Sequence, residues 1–187
     1  MIIGITGTPG TGKTSACALL GDVRDLNELI KKEGLHRGVD RTRGSLIADM
    51  DSVYDRVREI AQDREGDLVI EGHLSHHLCD VAIVLRLLPD ELKRRLVERG
   101  YHEAKILENV EAEVVDVILV EAVEWCDCVY EIDTTGKTVE EVADTINEIL
   151  TAIGRGITVE GYEPGSIDWL GLTETSLDIL PLQRVLQ

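Results

Sequence analysis

Long apolar runs are missing from this sequence; one of the longest, Val81 to Leu85, spans about five residues before Arg86 interrupts it. Crossing a bilayer takes roughly 18 such residues, so a membrane-spanning helix is not expected. The start of the chain also lacks a basic stretch followed by an apolar core of about 7 to 15 residues, the mark of a secretory signal. Met1-Ile2-Ile3-Gly4 runs directly into a glycine-rich segment instead, and the expectation is a soluble, cytoplasmic protein. Four cysteines, Cys17, Cys79, Cys126 and Cys128, form neither a CxxC pair nor a ladder with histidine. That pattern argues against a zinc finger, a redox motif and a disulfide scaffold, and the four read as cytosolic thiols. Positive charge is scarce: 19 Lys and Arg stand against 36 Asp and Glu, for a net charge of −17. Direct binding to nucleic acid is not expected, because affinity for that polyanion comes from neutralising its phosphates.

What is present is a chain of 187 residues, the size of one compact domain. Its charge is unevenly placed. Between Glu103 and Glu148 there are 14 acidic residues against Lys105 and Lys137, whereas 16 of the 19 basic residues lie at or before Lys105. One half can therefore meet phosphates. The other suits either a solvated helix face or a basic protein partner.

Ile2 to Thr6 is a short β-branched run, followed by a glycine loop and then by residues that suit a helix. Asp22 to Leu26 suits a short second strand, and Leu26, Leu29 and Ile30 a helix ending at Gly34. Gly34 to Ser45 is polar, basic and glycine-containing, as expected of a mobile segment. A helix is predicted over Asp51 to Gln62. Asp67 to Gly72 and Asp80 to Leu85 carry the continuous apolar runs of parallel strands buried on both faces. Pro89 opens a further helix, with Asp90 and Glu91 in its first turn and Arg95 and Arg99 near its end. Ile106, Val110, Val114, Val117 and Ile118 predict one long helix reaching about Trp125, and Cys128 to Ile132 a last strand. Thr138 and Glu141 form a capping box ahead of an apolar stripe from Val139 to Ile153. Alternating strands and helices imply an α/β fold around a parallel central sheet flanked by helices. The domain is expected over residues 1–154, with an irregular C-terminal extension over 155–187 that packs through Trp169 and Leu170 or stays mobile.

Gly7-Thr8-Pro9-Gly10-Thr11-Gly12-Lys13-Thr14 matches GxxxxGK[ST] in full, with the required strand before it and helix after it. Such a loop wraps a phosphate in backbone N–H groups, so side chains near it would block the approach. Lys13 is expected to reach the β and γ phosphates, and Thr14 to hold Mg²⁺ through its hydroxyl. Motors need more elements than this length allows, and the guanine-reading [NT]KxD sequence of GTPase switches is absent. A small-molecule P-loop kinase fits best. Transfer between two anions needs cations around the moving group, and Arg86 at a strand end, with Arg95 and Arg99 spaced i, i+4, are the candidates. The last two also suit a helix C-terminus for its dipole alone. Glu71 and His73 stand at the end of a buried strand, where parallel sheets place their chemistry. The carboxylate can organise Mg²⁺ and the attacking group, and the imidazole can donate. His76 and His77 lack a second ligand cluster at metal spacing and read as solvent-facing or structural.

Taken together, Ile5 to Thr14, Val69-Ile70-Glu71-Gly72-His73-Leu74-Ser75-His76, Val84-Leu85-Arg86 and Arg95 to Tyr101 resemble the archaeal branch of the adenylate kinase isoenzyme six family. Asn109 to Glu113 and Pro164 to Trp169 also fit, and the resemblance covers residues 1 to 170 or so. It implies a nucleoside monophosphate kinase of broad specificity, using ATP and Mg²⁺ and with ATPase activity. It implies ATP contacts at Gly10, Gly12, Lys13, Thr14, Ser15 and Arg99, a short lid near 99–109, and a monophosphate-binding segment near 28–51. Arg86 and Asp49 are the expected monophosphate contacts, and Lys13, Glu71, His73, Arg95 and Arg99 the catalytic set. It further implies a role in small-subunit rRNA maturation through transient binding of the basic small-subunit ribosomal protein eleven. Glu71 stands where eukaryotic members carry Asp, and Gly38 to Gly44 lacks the tyrosine of the family's Gly-Tyr-Asp loop.

Overall fold

A computed structural model describes residues 1–40 and 45–173. Seven strands are present among them: β1 (Ile2–Thr6), β2 (Val23–Asp25), β3 (His36–Asp40), β4 (Ser45–Ala48), β5 (Leu68–Glu71), β6 (Val81–Arg86) and β7 (Cys128–Asp133). Five form a parallel sheet in the order β2-β5-β1-β6-β7. The helices are α1 (Lys13–Cys17), α2 (Leu26–Glu33), α3 (Met50–Gln62), α4 (Pro89–Glu98), α5 (Glu103–Val114), α6 (Val117–Trp125), α7 (Val139–Gly154) and α8 (Trp169–Thr173).

The apolar runs are continuous because successive side chains of a strand enter opposite cores. Ile2, Ala82 and Val84 pack on one side with Leu29 and Ile30 of α2, Val53 and Val57 of α3 and Leu119 of α6. Ile3, Ile5, Ile83 and Leu85 pack on the other with Ala16 of α1 and Ile146 and Ile149 of α7. Gly4 lies mid-strand in β1 because a Cβ there would sit 2.6 Å from the Cys79 sulfur. The capping box forms as predicted: Thr138 Oγ1 accepts from the Glu141 N–H at 3.2 Å, and Glu141 accepts from the Thr138 N–H at 2.8 Å. A cap of this kind stabilises a helix by about 1 kcal/mol.

Three expectations need correction. Gly34 to Ser45, where no element is predicted, contains the strand His36–Asp40, which pairs antiparallel with Ser45–Ala48. The predicted long helix is two, broken where Asp116 takes a left-handed conformation (φ 58°) and its carboxylate pairs with Arg86. Residues after 154 are not wholly irregular either. Tyr162 O accepts from the Glu131 N–H at 2.8 Å, Trp169 is buried and Leu170 is exposed, and Trp169–Thr173 is helical. Residues 41–44 and 174–187 lie outside the described chain.

Parallel strands bring their C-terminal ends to one edge, where ligands gather in such sheets. Thr6 and the loop after it, Asp25, Glu71 and Arg86 all stand at that edge.

Candidate active site

Between β1 and α1, the loop from Gly7 to Gly12 is shaped by three glycines with left-handed φ: 135° at Gly7, 106° at Gly10 and 102° at Gly12. At Gly7 the space is also closed, since a Cβ would lie 2.3 Å from the Leu85 carbonyl. Thr11 Oγ1 donates to the Thr8 carbonyl at 3.0 Å, and Thr134 Oγ1 lies between the Arg86 carbonyl at 2.7 Å and the Thr11 carbonyl at 3.2 Å, which sets the loop against β6 and the segment after β7. The Lys13 ammonium folds back over the loop and donates to the carbonyls of Gly7 (2.7 Å) and Thr8 (3.0 Å). Burial lowers its pKa to about 8, with Glu71 and Glu113 opposing the shift. A buried ammonium held only by carbonyl oxygens gains from an anion brought alongside it.

The loop floors a cleft of about 540 Å³, whose lining includes Lys13, Thr14, Glu71, His73, Arg99 and Lys105. All the expected ATP contacts, Gly10, Gly12, Lys13, Thr14, Ser15 and Arg99, line it. Glu71 ends β5 with its side chain buried; desolvation raises its pKa, while a hydrogen bond from the Thr14 hydroxyl and the charge of Lys13 restrain the rise. His73 stands on the rim. Its pKa is lowered, first by desolvation against the cleft wall and then by the charges of Lys13 and Lys105, so the ring is neutral near pH 7. The Thr14 hydroxyl and the Glu71 carboxylate are hard oxygen donors side by side at the phosphate loop, a set that fits Mg²⁺.

The remaining sequence candidates lie elsewhere. Arg95 does not line the cleft: its guanidinium bonds Glu91 at 2.6 Å and the Gly10 carbonyl at 3.4 Å, linking α4 to the back of the phosphate loop. Asp49 is outside the cleft lining and accepts from Arg37 at 2.7 Å and the Ser52 hydroxyl at 3.2 Å. Arg86 departs furthest from expectation. It is 2% exposed and enclosed by carboxylates, with Nε 2.8 Å from Glu113, Nη1 2.6 Å from Glu131 and Nη2 on Asp116. A guanidinium spent on three carboxylates has no donor fork left for a phosphate.

That cluster reaches the cleft indirectly. Glu113 Oε1 also accepts from the Leu87 N–H at 3.1 Å and the Trp169 indole at 3.2 Å, while its Oε2 accepts from Thr8 Oγ1 of the phosphate loop at 2.5 Å. Glu131 Oε2 accepts from the N–H groups of Gly165 and Ser166, both at 2.9 Å. Part of the acidic excess between Glu103 and Glu148 is therefore turned inward. Thr8, Tyr101, Lys105 and Asn109 line the cleft within the expected loop and lid segments without having been singled out, and Asn27 lies outside every expected segment. Lys105 had a signal, being one of two lysines among 14 acids; its Nζ lies 4.9 Å from the centre of the Tyr101 ring.

Comparison with known proteins extends this geometry. Residues 3–116 match the family described as the AAA domain, which takes in the phosphate loop, Glu71 and the Arg86–Glu113 pair. A protein of Methanosarcina barkeri named "Putative adenylate kinase" is 51% identical over 180 residues, covering 92% of this chain and 99% of its own. The chain belongs to that archaeal family. A second member, from Methanosarcina acetivorans and bearing the same name, is 48% identical over 182 residues, covering 91% of this chain and 98% of its own. Among solved structures, shikimate kinase from Acinetobacter baumannii in complex with shikimate superposes with a TM-score of 0.54 at 15% identity, over 81% of this chain and 93% of that one. The shared feature there is the P-loop kinase fold. No helix among the described residues is long and apolar enough to cross a membrane.

Proposed function

We propose that this member of the family is a nucleoside monophosphate kinase of the adenylate kinase type, transferring the γ-phosphoryl group of ATP to AMP or another monophosphate. The observation that carries the reading is the cleft itself, in which Lys13, Arg99 and Lys105 converge above a complete phosphate loop with Glu71 and Thr14 at its floor. Phosphoryl transfer is mostly positioning and charge stabilisation, and this set supplies both. The loop backbone would cradle the β-phosphate of ATP while Lys13 exchanges its two carbonyl partners for phosphate oxygens. Arg99 and Lys105 belong to the lid proposed over 99–109, the turn after α4 and the first turns of α5, and would neutralise charge from the opposite side. Thr14 and Glu71 would hold Mg²⁺, which shields the phosphate oxygens when bound. His73, neutral and on the rim, is placed to donate to a phosphoryl oxygen. Arg95 serves as a positioning residue through Gly10. The acceptor is assigned to the side of the proposed segment 28–51, without Arg86 or Asp49.

A second reading is an ATP-hydrolysing assembly factor acting on a basic ribosomal protein such as small-subunit protein eleven in rRNA maturation. It is favoured by one observation, the commitment of Arg86 to carboxylates, which removes the expected acceptor arginine. Both readings suit a cytoplasmic member of the isoenzyme six branch, with a kinase domain over 1–154 and an extension over 155–187. ADP formation from Mg-ATP, measured with and without AMP, dAMP, CMP, UMP and GMP, separates them. Turnover that depends on an acceptor and is abolished by Lys13→Ala is the expected result. Slow hydrolysis indifferent to every acceptor overturns the kinase in favour of the assembly ATPase.

A further inference from the structure

We propose that His76, His77 and Glu121 form a binding site for one divalent transition-metal ion of the zinc class. The two histidines sit on the 3-10 turn after β5, and Glu121 comes from α6, 45 residues later, a partner that motif spacing does not reveal. Their ligand atoms lie within 4.8 Å of one another. Glu121 Oε2 is 3.0 Å from His76 Nε2 and 3.9 Å from His77 Nε2. A tetrahedral ion with bonds of 2.0–2.1 Å holds neighbouring ligands about 3.3 Å apart, so these separations bracket what such an ion imposes.

The hydrogen bonds around the ring of His76 supply the second argument. Thr6 Oγ1, fully buried, lies 3.1 Å from His76 Nδ1 and 3.5 Å from the His73 carbonyl, and so fixes the orientation of the ring. With Nδ1 engaged by Thr6, Nε2 is the ring nitrogen turned toward Glu121. A metal ion would take the place of the proton shared between Nε2 and the carboxylate, 3.0 Å apart. His77 is held against the first ring, with centroids 4.0 Å apart, and by the edge-on Trp125 ring at 5.6 Å. Two imidazoles and one carboxylate suit zinc, cobalt or nickel over magnesium, which prefers an all-oxygen shell. Glu121 lies one helical turn beyond Ile118, a cleft residue, so the ion would tie α6 to the turn behind Glu71 and His73.

The test is titration of the full, tag-free chain with Co²⁺ under excess Mg²⁺ and a non-thiol reductant. Binding of one Co²⁺ per chain is expected, with d–d absorption of tetrahedral strength, no thiolate charge-transfer band, and displacement by Zn²⁺. His77→Ala and Glu121→Gln, whose side chains are 28% and 40% exposed and so are not needed for the core, should each weaken binding by about 10- to 100-fold or more. Cys79 and Cys126 lie 3.6 Å apart beside the site and are the competing ligands. Absence of binding, affinity unchanged in both variants, or a thiolate band that Cys126→Ser abolishes would each overturn the assignment.

Discussion

Arg86 and Arg99 make a controlled comparison. Both lie near the phosphate loop, both are read from the sequence as cations aimed at a phosphate, Arg86 at a strand end and Arg99 four residues after Arg95, and the fold treats them oppositely. Arg86 is buried among Glu113, Glu131 and Asp116, whereas Arg99 is exposed at the cleft and has no ion-pair partner among the described residues. The difference teaches that an arginine's availability is set by how many carboxylates the fold delivers to it. Glu113, Asp116 and Glu131 arrive from 27, 30 and 45 residues away. The buried arginine then acts as a hub, because Glu113 passes its position to Thr8 of the phosphate loop and to Trp169 near the C-terminal end of the described chain.

Removing the hub should have the largest effect. Arg86→Met leaves three carboxylates facing one another, two of them buried, and breaking such a cluster from one side costs about 3–5 kcal/mol. Urea denaturation should show that loss as a lower midpoint. A midpoint within error of wild type would mean that the carboxylates find water or protons instead, and that Arg86 is free enough to be a ligand after all. The matched change, Arg99→Met, should leave stability within about 0.5 kcal/mol, as for an exposed residue. Instead, kcat/KM for ATP should fall about 100-fold, the size of losing one preorganised charge from a transition state. If Arg99→Met lowered the denaturation midpoint and spared kcat/KM, the comparison would be inverted.

The same contrast separates what the sequence makes legible from what it does not. The phosphate loop reads directly, because its chemistry resides in consecutive backbone groups and three glycines whose φ values other residues rarely adopt. The inner strands read equally well, since burial on both faces leaves an unbroken apolar run. The β3–β4 hairpin is hidden because neither of its faces is fully buried, so His36 to Asp40 shows no apolar alternation. The break between α5 and α6 is hidden for another reason. It depends on a non-glycine residue, Asp116, in a left-handed conformation beside a guanidinium remote in sequence. Lys105 was visible as a charge anomaly, but its place in the cleft follows from the turn at Gly100, which sets the direction of α5.

Lys13 offers the sharpest test, because its two roles predict opposite responses to pH. With a folded-state pKa of about 8 against 10.5 for the unconstrained side chain, the free protein loses this charge as pH rises through 8, while the unfolded chain keeps it to about 10.5. Over that window the unfolded state binds more protons, so Lys13 contributes rising stability as pH increases. Phosphate capture needs the charged form, so kcat/KM for ATP should fall above pH 8 by up to about tenfold per unit, whereas kcat stays flatter because bound phosphate raises the ammonium's pKa. Parallel melting curves and initial rates between pH 7 and 9.5, on wild type and Lys13→Met, would resolve the two slopes. The melting-temperature difference between the two proteins should move in favour of wild type as pH rises. If kcat/KM stayed level to pH 9.5, the carboxylates of Glu71 and Glu113 would be holding the Lys13 charge in the free protein, and its burial beside two carbonyls would no longer explain how the loop is poised for phosphate.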